Sequence, residues 1–342
     1  MHPFLRRLFM TLASLLLATQ AMATTQAGFR QITIPAPAPG AAPTVVALYY
    51  PTQAPERSIA MGPFSPRVAM SAKPDDKVKG LIVLSHGTGG SELGQGSLAE
   101  ALARHGYLVA ALRHPGDNWQ DRSLLKTSPE RFFTERPQQA SQVITALLRD
   151  PEWKDRIAAD AKGPRVGALG HSAGGYTVLA LAGARLDVPH MATHCRDHKA
   201  DDPIFCGMGT AATAAADAPP AAIEAPSLTD TRVRAVVAMA PVGAVFGPRS
   251  FVHVQVPAAI YSADRDRFLV PRFHGEWIAK NFPAAQFHRM PNAWHFAFMD
   301  TPGMAIATED GDIAADPPGF KRQVFLRQLQ RDVPAFFDQA LR

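Results

Sequence analysis

The chain has 342 residues, a formal net charge of +5, 46% hydrophobic and 19% charged residues, and two cysteines. The basic excess is small and scattered, with no stripe interleaved with aromatic residues, so nucleic-acid binding has no support. No apolar stretch is long enough to span a bilayer, which leaves a globular chain with the hydrophobic content for a large core.

Arg6 and Arg7, the apolar stretch Leu8 to Ala18 and the small-x-small site Ala21-Met22-Ala23 read as a secretory signal peptide over residues 1–23. The mature chain is then expected to begin near Thr24 and to be secreted or periplasmic. With no cysteine beside the cleavage site, no lipid anchor and no stable membrane attachment are expected. Residues 24–342 suffice for one α/β domain with an insertion.

Phe29 to Ile34 and Val45 to Tyr50 read as a leading hairpin joined by a loop with Pro35, Pro37, Pro39 and Gly40. Residues 51–78 are proline-rich and read as a surface excursion. Gly80 to Ser85 is a buried strand, Ser97 to His105 a helix ended by Gly106, and Tyr107 to Leu112 the next strand. His114 to Glu135 is polar and loop-like, and Gln138 to Leu148 an amphipathic helix. Strands follow near Arg165 to Leu169, at Ala235 to Ala240, at Pro257 to Tyr261 and at Ala285 to Met290, with helices at Phe273 to Asn281 and Lys321 to Leu341. Such alternation implies a mainly parallel sheet flanked by helices. Residues 187–231 break the rhythm with Cys195, Cys206, an alanine-rich run (Ala211 to Ala216) and Pro219-Pro220. An insert there lies over the carboxyl ends of the strands and reads as a cap or lid; a surface loop without fixed structure is the alternative.

Gly170-His171-Ser172-Ala173-Gly174-Gly175 follows the apolar run Val166 to Leu169 and precedes the helical Tyr176 to Ala182. Glycines two residues either side of a serine let a strand turn sharply into a helix, with the hydroxyl presented at the bend. A serine hydroxyl is a weak nucleophile until a base takes its proton, so the elbow calls for a histidine held by an acid. Of the 12 histidines, His86 and His171 flank glycines in turns, His105 ends a helix and His288 lies inside a strand. His295, in the aromatic loop Asn292 to Phe298 after the last strand, is the candidate base. Asp264 and Asp266 both leave the end of the Pro257 to Tyr261 strand, and spacing does not choose between them. Backbone N–H groups of Ala173 and of Thr88, in the turn Ser85 to Gly90, are candidate donors to a developing oxyanion. The rival reading of His86-Gly87-Thr88-Gly89-Gly90 as a phosphate cradle lacks the lysine and glycine spacing of such loops.

The two cysteines, close in sequence, are expected to form one disulfide in an oxidising compartment, contributing about 3 kcal/mol by loop closure. His190, His194 and His198 beside them allow a competing metal-cluster reading, which export and the lack of a CxxC disfavour.

With these pieces in order the chain resembles the α/β-hydrolase superfamily, and within it dienelactone-hydrolase-like and platelet-activating-factor-acetylhydrolase-like esterases. The resemblance is carried by Val83 to Gly90, His105 to Ala111 with His114-Pro115-Gly116, Gly170 to Gly175 and His295 to Phe298. It implies the α/β-hydrolase fold with a cap after the nucleophile helix, and a Ser172–Asp266–His295 triad. The acid usually closes a G-x-x-D stretch after a V-P-led strand, a slot filled here by Ala263-Asp264-Arg265-Asp266, which favours Asp266. Dienelactone hydrolases proper carry cysteine at the elbow; serine here favours ordinary carboxylic ester cleavage, without metal or organic cofactor, on a small-molecule or polymeric ester. The same triad serves a peptidase or amidase, and a non-catalytic binding protein could keep the fold.

Overall fold

Runs of apolar strand alternating with helix build one ten-stranded sheet covered on both faces. The computed structural model describes residues 25–208 and 227–342. The expected signal peptide, the alanine-rich run and Pro219-Pro220 lie outside the described residues. The strands are β1 (Gln26–Ile34), β2 (Thr44–Thr52), β3 (Arg57–Ser58), β4 (Arg67–Met70), β5 (Leu81–Ser85), β6 (Leu108–Arg113), the two-residue pair β7 (Ala159–Asp160) and β8 (Gly163–Pro164), β9 (Val166–His171), β10 (Val233–Met239), β11 (Ala258–Ala263), β12 (Gln286–Met290), and the small pair β13 (Ala307–Thr308) and β14 (Gly311–Asp312). The helices are α1 (Gly96–Arg104), α2 (Pro129–Arg149), α3 (Ala173–Leu181), α4 (Val188–His198), α5 (Pro203–Gly207), α6 (Gly275–Asn281) and α7 (Arg322–Ala340).

The large sheet runs β12-β11-β10-β9-β5-β6-β2-β1-β4-β3. From β12 to β6 every neighbour is parallel, while β2 joins β6 and β1 joins β2 antiparallel. β5 and β9 are buried at every position, as central strands covered on both faces must be. One apolar cluster packs α2 and α3 on one face; the other packs α1 and α7 on the opposite face. The parallel arrangement brings the carboxyl ends of β5, β9, β10 and β11 to one rim, where the elbow, the His86–Gly90 loop and the turn bearing Asp264 and Asp266 all begin.

Three segments depart from the sequence expectation. Within 51–78, β4 pairs in parallel with β1 (Gly28 opposite Ala69) and β3 pairs with β4, because the free edge of β1 offers backbone groups that need partners. Val68 and Phe64 are buried there. Helix α2 begins at Pro129, nine residues ahead of the expected Gln138, and continues through Pro137. Ser128 caps it by accepting from Arg131 N–H at 3.3 Å, and Phe132, Phe133 and Arg136 are buried on its inner face. Tertiary packing overrides the local proline signal. The insert is also more regular than expected up to Met208: α4 is capped by the Asp187 carboxylate on His190 N–H at 2.9 Å. α4 and α5 are joined by the Cys195–Cys206 disulfide, with Cα atoms 5.2 Å apart.

Helix α7 lies hard against β9. A Cβ on Gly167 would come within 2.6 Å of the Phe337 ring, which is itself fully buried. Phe337→Ala should therefore lower unfolding stability by about 3–5 kcal/mol, read as a shift in the guanidinium unfolding midpoint; a loss below about 1 kcal/mol would contradict this packing.

Candidate active site

β9 hands over to α3 through Ser172, whose φ is 57° and ψ −119°. A side chain at position 170 would meet Gly174 O at 2.0 Å, and one at 174 would meet Ser85 O at 1.9 Å. Both glycines are thus demanded by close backbone approach. The left-handed backbone of Ser172 costs about 1–3 kcal/mol and is held from below. Its N–H donates to Met239 O at 2.9 Å, and its carbonyl accepts from Val242 N–H at 3.2 Å, so the end of β10 clamps the bend.

The residues picked out in the sequence converge at this bend. Ser172 Oγ lies 3.0 Å from His295 Nε2, and His295 Nδ1 lies 2.7 Å from Asp266 Oδ2. The other carboxylate oxygen of Asp266 accepts from Leu269 N–H at 2.8 Å. A carboxylate only accepts, so Nδ1 carries the proton of the neutral ring and the Nε2 lone pair faces the hydroxyl. Asp264 turns away, pairing with the Arg289 guanidinium at 2.7 Å.

His295 is held on several sides. Phe268 stacks on its ring at 5.1 Å and 19°, and Phe296 meets it edge-on. His171 Nε2–H donates to the His295 carbonyl at 2.9 Å, tying the elbow to the aromatic loop. This anchor was not legible in the sequence, where His171 is only the variable residue of the elbow. Burial, helped by the neighbouring His295, pushes His171 down to about 3 and keeps it neutral.

Ala173 heads α3, where an amide has no intrahelical carbonyl to meet. Thr88 follows Gly87, and a Cβ on Gly87 would sit 3.0 Å from Ser172 Cβ. Both candidate donors therefore belong to backbone that runs alongside the serine.

The sulfurs of Cys195 and Cys206 are bonded to each other at 2.09 Å. The histidines of the metal reading go separate ways: His190 stacks on Trp277, His194 donates to Asp202 at 2.9 Å, and His198 faces Asp201 at 3.6 Å. His194 and the two sulfurs lie within 4.8 Å of one another, but a bridged pair presents no thiolate to a cation. Asp202 also accepts from His274 Nε2–H at 2.8 Å, which docks α4 and α5 onto the segment following β11. Among the described residues no helix is long and apolar enough to cross a membrane.

No family model matches the chain, and no curated protein does. Among solved structures it is similar to a ferulic acid esterase from Streptomyces cinnamoneus, with a TM-score of 0.60 and 19% identity over 95% of this chain and 92% of that one. It is also similar to a dienelactone hydrolase from Anabaena variabilis, with a TM-score of 0.52 and 15% identity over 93% of this chain and all of that one. The chain has the α/β-hydrolase fold, in its dienelactone-hydrolase-like form. Ser172 stands at the strand-to-helix bend of this fold.

Buried ionisable groups around this centre set a pH dependence of stability. Burial pushes His86 and His171 to about 3 and His114 well below its ordinary value. Partly buried His190 shifts the same way. Unfolded, these rings titrate near 6.5, so below that pH the unfolded state binds the extra protons and stability falls. Glu100 and Asp300 act oppositely: burial raises them to about 7 and about 6, so they take up protons in the fold as pH falls below 7. The imidazoles outnumber the carboxyls, so the urea midpoint should drop between pH 7 and pH 5, by at most about 1.4 kcal/mol per pH unit for each uncompensated proton. Glu100→Gln with Asp300→Asn should steepen that drop; a midpoint that is flat or rising towards pH 5 in the parent protein would contradict the assignment.

Proposed function

We propose that the protein is an exported serine hydrolase that cleaves carboxylic esters through an acyl-enzyme on Ser172. The observation that carries this reading is the continuous line of contacts at the elbow: hydroxyl to imidazole at 3.0 Å, imidazole to carboxylate at 2.7 Å. His295 takes the Ser172 proton as Oγ attacks the ester carbonyl, and returns it to the departing alcohol oxygen. Water then attacks the acyl-enzyme, His295 again accepting a proton and returning it to Ser172. Asp266 holds the ring with Nδ1–H towards itself and stabilises the imidazolium of each step. Thr88 and Ala173 N–H groups stabilise the tetrahedral oxyanion.

Ester cleavage fits the names of the two similar structures, an esterase and a dienelactone hydrolase. Export fits the disulfide and the signal-like N-terminus. The insert of residues 187–231 would act as the cap that selects acyl and alcohol groups.

Ser172→Ala should reduce hydrolysis of p-nitrophenyl butyrate by about 10³-fold or more and abolish labelling by a fluorophosphonate probe. Asp266→Asn should cost about 10⁴-fold in kcat, whereas Asp264→Asn, altering a surface ion pair, should stay within about threefold of the parent. Retained turnover in Ser172→Ala would overturn the reading. Peptide amides cleaved as readily as short acyl esters would replace the ester assignment with an amidase one.

A further inference from the structure

The polar groups beneath the His86–Gly90 loop are more elaborate than a surface turn requires. Arg136, from α2, and Asp117, from the loop after β6, form an ion pair with both side chains fully buried. Two buried charges cost several kcal/mol each to desolvate, so the arrangement needs compensating bonds; Arg136 reaches Thr177 Oγ1 and Ser85 Oγ, both at 3.4 Å, and the shorter bonds go to the loop. Arg136 Nη2–H donates to His86 O. The free oxygen of Asp117, Oδ1, accepts from Gly89 N–H at 2.8 Å. The pair thus grips the loop at two points on either side of Thr88.

The remaining groups of the loop are tied as well. His86 Nδ1–H donates to Gly87 O at 2.6 Å, while its Nε2 accepts from His114 N–H at 3.1 Å. His114 in turn bridges Ser85 Oγ and Gln139 Oε1, each at 2.7 Å. Gly90 N–H donates to Gly87 O, and Gly90 O accepts from Trp119 N–H, both at 3.0 Å. The amide of Thr88 donates to no group among the described residues. Gly89 has φ +65°, which turns the chain immediately after Thr88. The two amides that follow it, of Gly89 and Gly90, are both occupied.

We propose that Asp117 and Arg136 are positioning residues that hold the Thr88 amide aimed at the substrate's developing oxyanion. The assignment rests on the acyl-transfer reading of Ser172. Neither side chain touches substrate. Their work is to fix a donor before the reaction, so that no reorganisation is needed when negative charge appears. The carboxylate also takes up the Gly89 N–H, a donor that a phosphate cradle would keep for its ligand.

The test uses the full chain. Asp117→Leu combined with Arg136→Met removes both charges and keeps an apolar interior, an exchange that buried ion pairs often tolerate. Per site titrated with a fluorophosphonate, kcat for p-nitrophenyl butyrate should fall about 10²-fold, with KM within about threefold. Affinity for phenylboronic acid should fall by the factor lost in kcat/KM, and the pH profile, set by His295, should not move. Arg136→Lys keeps the charge but replaces the planar fork, whose separate nitrogens reach Asp117 and His86 O, with a single ammonium, so it should lose about tenfold. A kcat per titrated site within about threefold of the parent in the folded double variant overturns the proposal. Where that variant does not fold, amide exchange in the parent decides. Gly89 N–H should be protected at least about 10²-fold, and Thr88 N–H should slow only after phosphonylation of Ser172; free exchange at Gly89 overturns the assignment. Turnover surviving in Ser172→Ala would instead remove the catalytic reading beneath it.

Discussion

The site depends on one backbone constraint: Ser172 occupies a left-handed conformation that its neighbours make compulsory. Gly170 and Gly174 come so close to backbone oxygens that any Cβ would overlap them, and the last turn of β10 accepts and donates the hydrogen bonds of Ser172 itself. The strain is small beside the burial of β5, β9 and β10, which are almost entirely removed from water. A well-packed sheet can hold such a bend where an isolated loop would relax. The consequence is a hydroxyl fixed at the rim rather than swept through rotamers and backbone states.

Around that point the rim is organised by shared supports. His171 belongs to the elbow strand yet holds the carbonyl of His295, so Ser172 and His295 are positioned through one shared contact. Ser85 ends β5, hydrogen-bonds His114, and provides the carbonyl against which Gly174 is packed. The His86–Gly90 loop and the elbow therefore share one strand end. Burial keeps His86, His114 and His171 neutral, so these rings surround His295 as dipoles rather than as cations that would repel a charged neighbour.

The outer parts of the molecule follow a different logic. The disulfide and the His194–Asp202–His274 contacts clamp α4 and α5 to the segment after β11. β3 and β4 close the antiparallel edge of the sheet beyond β1. These features stabilise the periphery without touching the reacting groups.

Local sequence determined a good deal. The glycines around Ser172 were legible because close approach admits no other residue, and the apolar runs of β5, β6, β9, β10 and β11 were legible because strands buried on both faces carry little else. His295 could be chosen by its place after the last strand. Other features emerged only in three dimensions. Spacing left Asp264 and Asp266 equivalent, and only the family resemblance favoured Asp266; the turn at the end of β11 is what sends one to Arg289 and the other to His295. Arg136 falls between the polar stretch ending at Glu135 and the helix expected from Gln138, where a charged residue is ordinarily exposed, and only the approach of α2 to the loop after β6 buries it against Asp117. Periodicity reports which face of an element meets the core. Which groups meet across elements depends on where the chain returns, and local pattern carries no record of that.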